Sequence, residues 1–140
     1  MAFVPKSFTA SATLNASDAE TICTVSAAAG LTLTLPAATG SGYFWKVFIV
    51  TTVTSNTVVI QVANATDVMQ GLVITAQDAA DTLVGWETAA GSDTITLNGT
   101  TKGGIRGDYY EITDVAAGLF SIRGVVSGTG TEVTPFSAAV

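Results

Sequence analysis

Apolar and polar residues alternate one by one along several short stretches of this chain. Leu31, Leu33 and Leu35 are separated by Thr32 and Thr34, Ile95 and Leu97 alternate with Thr94 and Thr96, and Phe120 and Ile122 alternate with Ser121 and Arg123. A two-residue period belongs to a strand with one face buried and the other wet. Turn-forming clusters separate these stretches: AAAG at 27–30, LPAATGSG at 35–42, TSN at 54–56, ANATD at 63–67, AAGSD at 89–93, NGTTKGGIRGD at 98–108, AAG at 116–118 and SGTG at 127–130. No segment holds a helical apolar period for three turns, and AQDAADTL at 76–83 reads as a loop. The pattern predicts strands at 7–14, 20–26, 31–35, 43–53, 57–63, 68–75, 82–87, 94–97, 108–114 and 119–126. Many short strands with regular turns predict an all-β chain, a β-sandwich or jelly-roll-like single domain. The domain spans 16–140, preceded by an arm at 1–15 that is extended around Pro5 and carries Phe3 and Phe8 as anchors for a neighbour, or else a frayed terminus.

The stretch 43–53 departs from the pattern. Tyr43, Trp45, Val47, Ile49 and Val53 occupy one face, while Phe44, Phe48 and Val50 share the other with Lys46 and Thr52. An aromatic side chain buries about 150–250 Å², at roughly 25 cal/mol per Å². Leaving Phe44 and Phe48 in water would forgo several kcal/mol, so both faces call for cover. That cover is either a second copy of the chain or a loop of its own. Tyr43, Phe44, Trp45 and Phe48 are the candidate self-association residues, with core packing as the rival role. A further regularity is an echo between LTLTLPAATGSGYFWKVFI and DTITLNGTTKGGIRGDYYEI, which fits either two Greek-key halves or chance repetition in a Thr-rich chain.

Composition sharpens this picture. Of 140 residues, 48% are hydrophobic and 11% charged, with mean hydropathy +0.50. A typical soluble chain carries about 25% charged residues. A surface of Thr, Ser, Ala and Gly tolerates burial against other proteins, and so apolar a chain is not of the disordered class. The net charge of −6 and scattered cations (Lys6, Lys46, Lys102, Arg106 and Arg123) argue against nucleic acid or an anionic membrane as partner. Tyr43–Val62, the most apolar run, is interrupted by Lys46, Ser55, Asn56 and Gln61 and does not read as a spanning helix. MAFVPKSFTA lacks the basic start and apolar run of a signal peptide. Cys23, the only cysteine, is expected as a buried thiol in a chain folded in reducing cytosol.

Candidate chemistry is sparse. The chain has no histidine, which removes Ser-His-Asp and Cys-His nucleophile systems and imidazole metal sites, so no catalytic residue and no cofactor is assigned. A glycosidase would need two carboxylates about 5–9.5 Å apart in a cleft, which sequence alone cannot display. Asp78 with Asp81, or Asp108 with Glu111 and Asp114, lack calcium-loop spacing and read as solvated loop acids. Asp108 and Asp114 share parity with Tyr110 and Ile112 and are expected at solvent-facing strand ends. NGTTKGGIRGD has no phosphate-loop spacing. Its Arg106-Gly107-Asp108 triplet and the sequons at Asn15, Asn64 and Asn98 are expected to be incidental.

LTLPAATGSG, TVVIQVANATDVMQG, GWETAAGSDTITLNGTTKGGIRGDYYEITDV and GLFSIRGVVSGTGTEVTPFS together give the chain, from about residue 20 onward, a family look. It resembles the small β-rich virion proteins of tailed bacteriophages, particularly head decoration (cement) proteins. The resemblance implies a non-enzymatic scaffold assembled in the host bacterial cytoplasm and placed on the capsid outer surface. Its partners would be the phage major capsid protein and other copies of itself, most simply as a homotrimer. LPAATGSG also resembles turns of tail-fibre proteins. That alternative, a tail fibre or spike module binding a host surface glycan, would display Trp86, Tyr109 and Tyr110 at a rim.

Overall fold

The computed structural model of the chain describes residues 4–140. Their strands are β1 (Lys6–Phe8), β2 (Ala12–Thr13), β3 (Ile22–Val25), β4 (Leu31–Thr34), β5 (Phe44–Ile49), β6 (Val58–Gln61), β7 (Val68–Gln77), β8 (Leu83–Glu87), β9 (Thr94–Leu97), β10 (Tyr109–Ala116), β11 (Leu119–Gly128) and β12 (Phe136–Ser137). A 3₁₀ turn at Ala16–Asp18 stands between β2 and β3. The strands form two mixed sheets, ordered β1-β3-β5-β10-β11-β7-β8 and β12-β9-β6-β4-β2. The chain is all-β and sandwich-like, as the alternation predicts.

The connectivity is less ordinary. β1, β3 and β5 run parallel in the larger sheet, and β2, β4 and β6 run parallel in the smaller one. Up to β6 the chain therefore changes sheet after every strand, like three coils of a flattened solenoid. Parallel neighbours need a crossover, and here each crossover is a strand of the opposite sheet rather than a helix. After β6 the coil gives way to two hairpins. β7 pairs antiparallel with β8, and the β10–β11 hairpin is inserted between β5 and β7. The two echoing sequences are β4-loop-β5 and β9-loop-β10, both crossing from the smaller sheet to the larger, where β5 and β10 pair antiparallel.

The inward side chains follow parity. Trp45, Val47 and Ile49 of β5, Tyr110 and Ile112 of β10, and Phe120 and Ile122 of β11 face Leu33, Ile60, Ile95 and Leu97, all essentially inaccessible. Trp45 meets Phe120 edge-on at 6.4 Å, and its indole N–H donates to the Asn15 carbonyl at 3.3 Å. Tyr110 fills the place that a side chain at 124 would occupy. A Cβ on Gly124 would stand 2.7 Å from the Tyr110 ring.

Three differences from the sequence reading have local causes. The stretch 7–14 splits, because β1 joins the larger sheet and β2 the smaller, with a bend between them. Residues expected as an arm thus belong to the sandwich from Lys6 onward, and Phe8 (6% exposed) and Leu14 pack into its core. Phe3 lies outside the described residues. The ribbon from Tyr43 leaves the sheet after Ile49, where the Val50 and Thr51 amides both donate to the Val25 carbonyl. β12 has too few residues to show a period.

Candidate association surface

β5 divides the four candidate residues. Trp45 is fully buried in the core and has no surface to offer a partner. Tyr43, just before the strand, is 41% exposed and rests edge-on against Trp45 at 6.0 Å. Phe44 and Phe48 point outward and are half-buried, as is Lys46 between them. Among the described residues, strand register sets Phe48 beside Thr24 and Tyr109, and Phe44 beside Thr113.

Cross-strand registers show what surrounds these phenylalanines. One row across the outer face of the larger sheet runs Thr24, Phe48, Tyr109, Val125, Ile74, Gly85. The adjacent row runs Ile22, Lys46, Glu111, Arg123, Leu72, Glu87, so its charges alternate in sign. Lys46 Nζ lies 3.7 Å from Glu111 Oε1 and 4.3 Å from the Tyr109 ring centroid. Val125 is 46% exposed, Leu72 37% and Leu83, at the end of β8, 71%. A hollow of about 490 Å³ opens among Glu20, Ile22, Phe44, Lys46 and Glu111. Sequence reasoning stopped at β5 and missed Val125, Ile74 and Leu72. The available signal was the run VMQGLVITAQ, which, like 43–50, has apolar residues at both parities.

The acids behave otherwise than expected. Asp108 and Asp114 do not sit at solvent-facing ends; they are 3% and 2% exposed. Their shared parity with Tyr110 and Ile112 points them inward, and loop amides replace the lost water. Asp114 accepts from the amides of Thr39, Gly40 and Ser41 at 2.7–3.1 Å and from the Ser41 hydroxyl at 2.6 Å. Burial alone would raise its pKa, but these donors outweigh burial and hold it down at about 2. Asp108 accepts from the amides of Gly104, Ile105 and Ser127 at 2.8–3.0 Å, yet burial prevails and its pKa is raised. Asp93 is buried too, but the Ala139 amide, the Thr94 hydroxyl and the Val140 amide bring its pKa below the usual value. Asp67 takes the Ala38 amide and the Asn64 side chain, and Asp18 takes the Asn15 amide and the Lys6 ammonium. These five aspartates staple loops to strands.

The remaining motifs find structural uses. Asp108 of the Arg-Gly-Asp triplet is turned inward, so the triplet is not displayed as a unit. Each sequon asparagine closes a turn on its own backbone: Asn15 accepts from the Ser17 amide, Asn64 from the Thr66 amide and Asn98 from the Thr100 amide, at 2.9–3.0 Å. Cys23 is buried, which pushes its thiol pKa up. Glu111 faces outward while Asp108 and Asp114 face inward, and no three acidic or cysteine side chains gather as a metal site among the described residues. Tyr110 is in the core, where burial and the nearby Asp108 charge raise its phenol pKa. Trp86 is half-buried at the inner edge of β8 and Tyr109 lies mid-face, so the three aromatics share no rim.

No protein-family model, curated protein or solved structure matches this chain.

Proposed function

We propose that this protein is a non-enzymatic structural component of a tailed-bacteriophage virion, a decoration or cement protein on the outer head surface that stabilises the shell by bridging capsid subunits. The observation that carries the association role is the outer face of the larger sheet, where Phe48, Tyr109, Val125 and Ile74 adjoin in one row, Val125 exposed and the other three half-buried among the described residues. The phage setting is supported by the resemblance of the loop and strand phrases from residue 20 onward to head decoration proteins. The major capsid protein is then the partner, and assembly takes place in the host cytoplasm. A stable interface buries about 1,200–2,000 Å². A clamp that touches several shell subunits makes each later contact intramolecular, so opening the shell requires breaking the clamp as well.

Electron microscopy of purified virions with labelled copies of this chain tests the reading. Copies dotted over the head, together with heads that burst at lower temperature when the chain is missing, are the expected result. Copies confined to the tail, or none on the particle, would overturn it.

A further inference from the structure

We propose that the outer face of the seven-stranded sheet docks on the same face of a second copy of this chain. The two-fold axis lies in the interface, parallel to the strands, between β10 and β11. The inference rests on the association reading above and gives this face to a second copy rather than to the capsid protein, with a pair in place of the trimer implied by resemblance.

Charge and coverage together decide the placement: an axis between β5 and β10 would also set Lys46 on Glu111, but it would put Arg123 on Ile22 and leave β8 unopposed. An axis between β10 and β11 reverses the order of strands in the facing copy and leaves each cross-strand row opposite itself. Glu111 then faces Arg123 of the second copy, and Arg123 faces its Glu111. Tyr109 meets Val125 and Phe48 meets Ile74, so the apolar row covers the apolar row. Leu72 of the second copy comes over Lys46, beside the hollow walled by Ile22 and Phe44. Moving the axis onto β10 would set Glu111 on Glu111 and Lys46 on Arg123; moving it onto β11 would set Arg123 on Arg123. Opposed like charges carry a penalty that fixes register. Arg123 is available for this contact: its guanidinium donates to the Ile122 carbonyl at 2.6 Å, and it has no carboxylate within ion-pair distance among the described residues.

Area is sufficient. β3, β5, β10, β11, β7 and β8, the strands that face one another across this axis, are spaced by about 4.8 Å, average about 24 Å long and present roughly 700 Å² per copy. The pair would bury roughly 1,400 Å², within the range of a stable interface. Facing sheets pack aligned about 10 Å apart, a separation that the outward aromatics and leucines span. A self-complementary patch of this kind is satisfied by one partner and closes.

Sedimentation of the full chain tests the pairing. The expected particle has twice the 14.2 kDa chain mass. Glu111→Arg and Arg123→Glu should each weaken pairing about tenfold or more, and combining them should restore it. Val125→Arg should leave single chains, while Thr32→Arg, on the outer face of the smaller sheet, should still pair; circular dichroism confirms that each variant is folded. A wild-type chain that stays single at millimolar concentration, or forms threes, overturns the inference, as does a folded double reversal that fails to pair. The virion role is read separately: single chains found on heads would sink the pairing alone, and pairs absent from virions would sink the role alone.

Discussion

The two sheets bury the same kind of inner face and present opposite outer ones. Across the smaller sheet the residues of outward parity run Thr13, Thr34, Gln61, Thr94, Ser137 in one row, Thr94 alone among them buried against Asp93, and Thr32, Val59, Thr96 in the next. These rows hold no charge and one aliphatic residue. Across the larger sheet the rows are aromatic and aliphatic beside alternating charges. Threonine keeps the β-branched shape that favours a strand while offering a hydroxyl to water. An outer face can thus be made of good strand formers without becoming adhesive, as the smaller sheet is. The apolar outer row of the larger sheet is consequently not a by-product of strand propensity.

The sharpest contrast lies within β5. Trp45→Ala should destabilise the chain by about 3–5 kcal/mol, measured by denaturant unfolding in dilute solution, because it empties the centre of the core. Such a loss from Phe48→Thr would mean that the outer face is sealed core, and the comparison would fail.

Next comes a residue that serves neither outer face. Asp114→Asn should cost on the order of 2 kcal/mol, because a carboxylate held near pKa 2 loses its charge-assisted bonds to the 39–41 loop. The pH dependence has a definite sign. Asp114 and Asp93 have lowered folded-state pKa values, so their stabilisation is complete above the unfolded value of about 3.9 and disappears as pH falls through the folded values. Asp108, raised by burial, acts oppositely: its contribution is present below the unfolded value and is lost as pH rises through its folded one. Acid unfolding of Asp114→Asn should accordingly show a weaker pH dependence between about pH 4 and 2 than the wild type.

Phe48→Thr should cost only about 1 kcal/mol in the single chain, since its ring lies outside the core and is partly in water, while strongly reducing association. Last, Thr34→Val on the smaller sheet should change stability by no more than about 0.5 kcal/mol and leave the mass in solution unchanged. A gain of association there would show that any apolar addition makes this protein adhesive and would remove the distinction between the faces.

Much of the fold was legible from local pattern. Leu31–Thr34, Thr94–Leu97 and Leu119–Val126 announce strands because period-2 alternation is a property of neighbours in sequence. The parity of β5, with Trp45 inward and Phe44 and Phe48 outward, was equally open to reading. The division of 7–14 between two sheets was not, since nothing local marks which sheet a strand will join. Nor were the buried aspartates: a carboxylate reads as a surface residue until the loop whose amides surround it is in place, and for Asp114 that loop lies more than 70 residues earlier in the chain.

By itself the sequence determined an all-β chain, the inward and outward sets of most strands, the turns, and an absence of histidine that no folding can alter. Only the tertiary structure decided that β10 and β11 stand between β5 and β7, and therefore that Phe48, Tyr109, Val125 and Ile74 form one row. Strand order comes from packing between segments far apart in the chain, whereas alternation is written by adjacent residues. The outer face belongs to the first kind, so its composition could not be assembled from any single stretch.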